Sequence, residues 1–326
     1  MKYPKHITEI YSEANNKMYT IENGLTVWDV TLDAGIGEEI TIGHVSDLHY
    51  NYCNQQDFDK ADPVLMSTYE NRKWLANGES VPNNRRCLEF LDDVDQIVVN
   101  GDVMDYLSYG CMELMQKEIW DKYPDALVTV GGHEFCIKMQ GKVPETTSFE
   151  EREAVVADFW KSDIHYETKL IKDKLLIIGL NNNEAKYTKS QEEKLKKDIE
   201  LAREKGYKIL VFQHEPLCTR NPEHTVFPYE KCIITGDTHD GKPFNLCDGV
   251  KVFAGSVYSD EQTMKVYKLL TENADVIKGI FAGHFHNCLK ADMLGSYPDG
   301  TEAYIPQYVR TASAYDMGHV MRIIVK

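Results

Sequence analysis

Ile40-Thr41-Ile42-Gly43-His44-Val45-Ser46-Asp47-Leu48-His49 is an apolar, β-branched run that stops at two residues with metal-seeking side chains. The run 40–46 predicts a strand. Asp47 and His49 then fall where the chain leaves it. The same arrangement returns four times. Residues 96–100 form a short apolar strand ahead of Gly101-Asp102-Val103-Met104-Asp105. Residues 126–130 feed Gly131-Gly132-His133-Glu134, 208–212 deliver Gln213-His214, and 279–282 deliver Gly283-His284-Phe285-His286. In α/β architectures ligands gather beyond the carboxyl ends of strands, in the loops that follow.

The remaining pattern agrees with strands alternating with helices. Residues 25–32 read as a strand joined to 40–46 through a glycine-containing turn at 33–37, an N-terminal hairpin. Helical periods cover 61–77, 83–91, 111–122, 148–161, 190–205 and 260–273. Ser148 with Glu151 three residues on predicts a capping box. Gly206 closes the helix over 190–205. Residues 166–171 and 174–180 read as paired strands, and the chain from Leu289 onward is mostly strands. Segments 51–95 and 216–260 break the rhythm and are expected to form pocket walls as insertions in one domain spanning 1–326.

Composition narrows the function classes. The chain has 326 residues, 42% of them hydrophobic, enough for a sizeable core. It carries 36 basic against 52 acidic residues, a net charge of −16. An acidic surface repels nucleic acid and anionic membranes, which disfavours a nuclease. Residues 1–20 lack the apolar core of a secretion signal, and no run approaches the length of a membrane span. The eight cysteines form no C-x-x-C pair. Free thiols in a reducing cytoplasm are the expectation.

Carboxylates and imidazoles at Asp47, His49, Asp102, His214, His284 and His286 suffice for two divalent ions. Two such ions answer the central difficulty of phosphate ester hydrolysis. They bind the anionic oxygens, acidify a shared water and stabilise developing charge. His284 and His286, alternate residues on an extended segment, would share one face, with Gly283 freeing the backbone to bend.

In order, residue types and preceding strands, these five motifs resemble the calcineurin-like metallophosphoesterase superfamily over residues 47–286. The resemblance implies a four-layer αββα sandwich of two mixed sheets flanked by helices. It implies that Asp47, His49, Asp102 and His286 hold a first ion. Asp102, shared between the ions, would hold a second with His214, His284 and an asparagine amide. His133 would contact phosphate and protonate the leaving oxygen, and Asp105 and Glu134 would orient their neighbours. The metals could be Mn, Fe, Zn, Ni or Co. The implied activity is hydrolysis of a small-molecule phosphomonoester or phosphodiester by a metal-bound hydroxide.

One position departs from the pattern. The asparagine is Gly132 here, which has no side chain to offer. Three readings follow: a second ion held more weakly with an extra water, a substitute such as Asn100, Asn181, Asn182 or Asn183, or an impaired site. The last allows a different class of function, a non-catalytic binding scaffold on the same fold, as in a retromer subunit of the superfamily.

Within the superfamily, purple acid phosphatases place a tyrosine three residues after the shared aspartate. That position is Asp105 here, so a tyrosinate ligand is not expected. The arginine-bearing motifs of the protein Ser/Thr phosphatases are absent, as are the coiled coils of the repair nucleases. Gly236-Asp237-Thr238-His239-Asp240 mimics two of the motifs and reads as a turn. Cys218, Cys232 and Cys247 with His224 and His239 have irregular spacing for zinc and read as ordinary side chains. Arg85, Arg86 and Arg220 could grip a second phosphate or a substrate carboxylate, although each reads first as a surface charge. His6, His44, His165 and His319 read as structural.

Overall fold

The computed structural model describes residues 7–12, 17–73, 75–137, 147–183, 186–217, 225–226, 260–286, 288–315 and 318–326. Two seven-stranded sheets organise them. The first runs β1 (Ile7–Ser12), β2 (Lys17–Glu22), β3 (Leu25–Leu32), β14 (His319–Val325), β4 (Ile40–Val45), β5 (Gln96–Asn100) and β6 (Leu127–Thr129). The second runs β10 (Thr225–Val226), β12 (Leu289–Ser296), β13 (Glu302–Val309), β11 (Ile277–Ala282), β9 (Lys208–Phe212), β8 (Leu175–Leu180) and β7 (Tyr166–Ile171). Each sheet has a parallel block, β4-β5-β6 at one end of the first and β8-β9-β11-β13 in the middle of the second. Antiparallel strands complete both, so both are mixed.

The sheets pack face to face through Val30, Leu32, Ile40, Ile42, Val98, Leu127, Ile177, Leu210, Phe212, Phe281 and Ile323, all buried. Helices cover the outer faces. On the first sheet these are α1 (Gln55–Lys60), α2 (Pro63–Arg72), α3 (Ser80–Phe90), α4 (Tyr109–Met115) and α5 (Phe149–Phe159), with Leu88, Met112, Met115 and Val156 in the shared core. On the second they are α6 (Lys189–Lys205) and α7 (Glu261–Thr271), through Leu195, Ile199, Val266 and Leu270. This is the expected four-layer αββα arrangement. Central strands buried on both faces explain why β5, β8 and β9 read as continuous apolar runs rather than alternating ones.

Local chemistry placed most element ends. Ser148 and Glu151 form the predicted capping box on α5, and Gly206 ends α6 in a left-handed conformation. Two helix expectations need correction. The run 61–77 is not one helix: α2 ends at Arg72 and a 3₁₀ turn, Leu75–Gly78, follows. Likewise 111–122 divides into α4 and a π-helical turn, Gln116–Trp120.

The expected N-terminal hairpin does not form. The last strand, β14, lies between β3 and β4, parallel to one and antiparallel to the other. The turn after β3 wraps its end: Ala34 and Gly35 donate backbone hydrogen bonds to the Lys326 carbonyl, at 2.7 and 2.8 Å. Turn chemistry near 33–37 specifies a reversal of direction, and a reversal is equally compatible with a strand inserted from elsewhere. The sheet is extended instead by β1 and β2, from a segment whose polarity masked its strands.

Glu118 staples two elements of the first helical layer. It accepts a forked pair from Arg85 on α3 at 3.1 and 2.8 Å, and a third bond from Lys122 at 2.6 Å. These partners, Arg85 first, lower its carboxyl to about 2 although burial opposes its charge. The stabilisation is therefore complete above the ordinary glutamate range near 4.5 and fades as pH falls toward 2. Both cations are largely exposed, so the expected contribution is about 1 kcal/mol. Glu118→Gln should lower the urea midpoint at pH 7 and narrow its gap from wild type at pH 3; parallel midpoints across that range would contradict the staple. The pairing also takes Arg85 out of contention as a phosphate grip, and Arg86 donates to the Gly24 carbonyl. Arg220, the 236–240 motif and Cys218, Cys232, Cys247, His224 and His239 lie outside the described residues.

Candidate metal centre

Four parallel strands, β4, β5, β9 and β11, and the loop after β6 direct their carboxyl ends to one place. The strands end at Val45, Asn100, Phe212 and Ala282, and the side chains follow within four residues. Asp47, His49, Asp102, His284 and His286 all have positive φ, between 44° and 71°. This left-handed backbone costs on the order of 1 kcal/mol per residue. Asp and His tolerate it better than most residues, and such strain concentrates at functional sites. It corrects the reading of His284 and His286 as neighbours on an extended segment. The strand stops at Ala282, the backbone turns at each histidine, and the two rings serve different groups.

The first group is Asp47, His49 and His286. His49 Nε2 and His286 Nε2 are 2.9 Å apart, and His286 Nε2 lies 3.2 Å and His49 Nε2 4.0 Å from Asp47 Oδ1. The second is Asp102, His214 and His284. His214 Nε2 stands 3.0 Å from Asp102 Oδ2 and 3.8 Å from Asp47 Oδ1, so the groups adjoin. Ligands about 2.1 Å from a shared ion stand roughly 3.0–3.4 Å apart. The His49–His286, His286–Asp47 and His214–Asp102 spacings fit, whereas His49–Asp47 at 4.0 Å is wider. The buried Nε2 of His214 also fits, since it makes no well-formed hydrogen bond although a carboxylate oxygen is beside it.

The surroundings hold each ring in place. His49 Nδ1 pairs with Asp105 Oδ1 at 3.0 Å, leaving Nε2 toward the other ligands. Burial pushes the His49 pKa down, which favours the neutral, ligating form. His214 Nδ1 donates to the Asn100 carbonyl at 3.0 Å. Asp47 accepts from the Ser46 hydroxyl at 2.6 Å and from the His284 N–H at 3.2 Å. Gly283 is needed here for closeness rather than for bending. A Cβ there would lie 1.9 Å from Ser46 Oγ and 2.4 Å from Asp47 Oδ2. Its neighbour in role, Gly131, would put a Cβ 2.3 Å from Asp102 Oδ1.

Glu134 braces the loops from below. Its carboxylate accepts the backbone N–H groups of Asp102, Val103, Met104 and Gly131 at 3.2, 2.6, 2.9 and 2.6 Å. Asp105 binds His49, takes a fork from Arg72, and accepts Asn51 Nδ2 at 2.7 Å. Burial works against the Asp105 charge, but Arg72 and the two histidines hold its carboxyl far below the usual range. His49, Asp105 and His133 also stand close enough to surround an ion. The guanidinium already on that carboxylate argues for a charged hydrogen-bond network instead. His133 donates its backbone N–H to Asp102 Oδ1 at 3.0 Å, and its Nδ1 lies 2.9 Å from the Asp105 carbonyl oxygen. Its Nε2 is 3.8 Å from Asp102 Oδ2, and the ring is partly exposed.

Sequence reasoning missed Arg72, Asn51, Ser46 and Tyr315. Arg72 ends α2 inside a segment read only as a pocket wall, and no spacing connects it with Asp105. Tyr315 edges against His286 at 5.0 Å between ring centroids. Tyr106, next to Asp105, stays out of the centre: its hydroxyl donates to Asn51 Oδ1 at 3.1 Å. His44 is buried between the sheets, edge-on to Phe212 at 5.4 Å, as a structural residue would be.

Two helix-flanked mixed sheets with paired His/Asp clusters at their strand ends define a class of α/β proteins equipped to hold metal ions. The model of the calcineurin-like phosphoesterase family matches residues 40–288, and the chain belongs to that family. No curated protein sequence matches it. Similar solved structures include a dimetal phosphatase from Danio rerio, 12% identical with a TM-score of 0.42, covering 84% of this chain and 87% of that one. A purple acid phosphatase from yellow lupin (Lupinus luteus) seeds is 10% identical, with a TM-score of 0.43 over 94% of this chain and 46% of that one. The NAD nucleotidase of Haemophilus influenzae is 12% identical, with a TM-score of 0.38 over 84% and 45%. No helix among the described residues is long and apolar enough to cross a membrane.

Proposed function

We propose that this chain is a metal-dependent phosphoesterase that hydrolyses a small phosphomonoester or phosphodiester. The observation that carries the reading is the adjacency of two three-ligand groups, Asp47/His49/His286 and Asp102/His214/His284. Divalent ions held there would neutralise the phosphate oxygens and supply an activated water. The rest of the chemistry belongs to the chain. Asp102, whose Oδ2 stands 3.0 Å from His214 Nε2, is proposed as the shared ligand, and Asp47 Oδ1 lies 3.2 Å from His286 Nε2 and 3.8 Å from His214 Nε2. His133 presents a ring nitrogen beside Asp102, suited to donate a proton to the departing oxygen. Asp105, gripped by Arg72, aligns the rings of His49 and His133 at once. Glu134 keeps the 101–104 and 131–134 loops in register.

The acidic net charge favours a small substrate over nucleic acid. A non-catalytic scaffold is favoured by one residue, Gly132, which withholds a ligand. The test separates them. Protein stripped with EDTA should lose hydrolysis of p-nitrophenyl phosphate or its bis-ester and regain it with Mn²⁺. Activity that survives chelation would refute the metal requirement; no activity with any divalent ion, in protein that still binds them, would favour the scaffold.

A further inference from the structure

Gly132 has φ −69° and ψ −32°, ordinary right-handed backbone that any residue adopts. Nothing in the main chain asks for glycine. Beside it, a Cβ at this position would meet one atom only, Asn183 Oδ1 at 3.3 Å, a tight contact that a shift of a few tenths of an ångström in that side chain relieves. The same turn rides on the second ligand group, since a Cβ at Gly131 would meet Asp102 Oδ1 at 2.3 Å and His214 Cδ2 at 2.7 Å. An amide oxygen from the loop after β8 thus stands 3.3 Å from where a side chain at 132 would begin.

The other nearby asparagines are committed elsewhere. Asn100 spends its Nδ2 on the Gln213 and Phe281 carbonyls, at 2.9 and 3.2 Å, and its Oδ1 on the Thr129 hydroxyl at 2.8 Å. Asn182 locks the backbone beside His214, donating to the Glu215 carbonyl at 2.7 Å and accepting its N–H at 3.0 Å. Asn181 Oδ1 accepts the Asn183 N–H at 2.9 Å. Two members of the run therefore anchor the loop after β8. Among the described residues, the side-chain amide of Asn183 makes no hydrogen bond.

We propose that Asn183 completes the second ligand group, Asp102, His214 and His284, in place of the amide that Gly132 lacks. A neutral, hard carbonyl oxygen suits a divalent ion already faced by a carboxylate and two imidazoles. Asn182 clamps the loop to Glu215, the residue after His214, and so fixes the backbone that carries Asn183. Glycine at 132 is then the condition for this arrangement rather than a defect, because two amides would compete for one volume. The inference rests on the metal reading above.

The test is a Mn²⁺ titration of EDTA-stripped protein by calorimetry, with bound metal counted by mass spectrometry. Wild type should take two ions. Asn183→Ala should keep the first at unchanged affinity and weaken the second about 10- to 100-fold. Gly132→Asn alone should not tighten the second ion, whereas Gly132→Asn combined with Asn183→Ala should restore it, a strongly non-additive pair. The retained first ion serves as the control for folding. Unchanged second-ion affinity in Asn183→Ala, tighter binding in Gly132→Asn alone, or a wild type with one ion would overturn the role of Asn183. A wild type that binds none would overturn the metal reading itself.

Discussion

Asp102→Ala is expected to lower metal-dependent hydrolysis of an activated aryl phosphate by about 10²–10³-fold or more, the scale seen when one preorganised charge-stabilising group is lost. Asp102 is proposed to be the carboxylate the two ions share. It is nearly fully buried, receives the His133 N–H at 3.0 Å, and stands 3.0 Å from His214 Nε2. Burial opposes its charge, yet the His133 and His214 rings outweigh that and hold its carboxyl well below the usual range. An ion in the same position would do so more strongly. The variant should bind less than two equivalents of metal while retaining its far-ultraviolet circular dichroism. Wild-type turnover in this variant would remove Asp102 from the mechanism.

His133→Ala should have the next largest effect, and its size should depend on the leaving group. A proton donor is worth about 10²–10⁴-fold when the departing oxygen is strongly basic. An alkyl phosphate should therefore suffer by that amount and p-nitrophenyl phosphate far less. Burial opposes protonation of His133, but Asp102 and Asp105 prevail and raise its pKa to about 9. The acid form is thus present at neutral pH and is lost as pH rises through that value. Cations held by the two groups would repel the imidazolium and bring the descending limb below it. The wild-type rate on alkyl phosphates should fall on the alkaline side, and the variant should lack that limb. Equal losses on both substrates, with the limb intact, would assign His133 a structural role.

Much of this was legible because the signals are local. An apolar run followed by an aspartate or histidine motif marks a strand and the point where it ends, and five such points in one chain limit the architecture severely. Ser148 with Glu151, and Gly206, act through hydrogen bonds within a few residues, so helix ends could be read directly. The short apolar strands 96–100 and 208–212 were recognisable from composition because strands buried on both faces carry little else. The helix over 61–77 was misread at its end, where periodicity persists past the point at which the backbone departs from it.

What the order of residues determined by itself was the family, the two-sheet sandwich and the identity of the converging side chains. Strand periodicity and ligand chemistry are properties of short segments. The tertiary structure alone decided how β14 separates β3 from β4, why five candidate ligand residues turn left-handed, how Arg72 reaches Asp105 across 33 positions, and which asparagine faces Gly132. Each depends on groups distant in the chain meeting at a few ångströms. Such meetings are set by the packing of whole layers, which no local preference encodes.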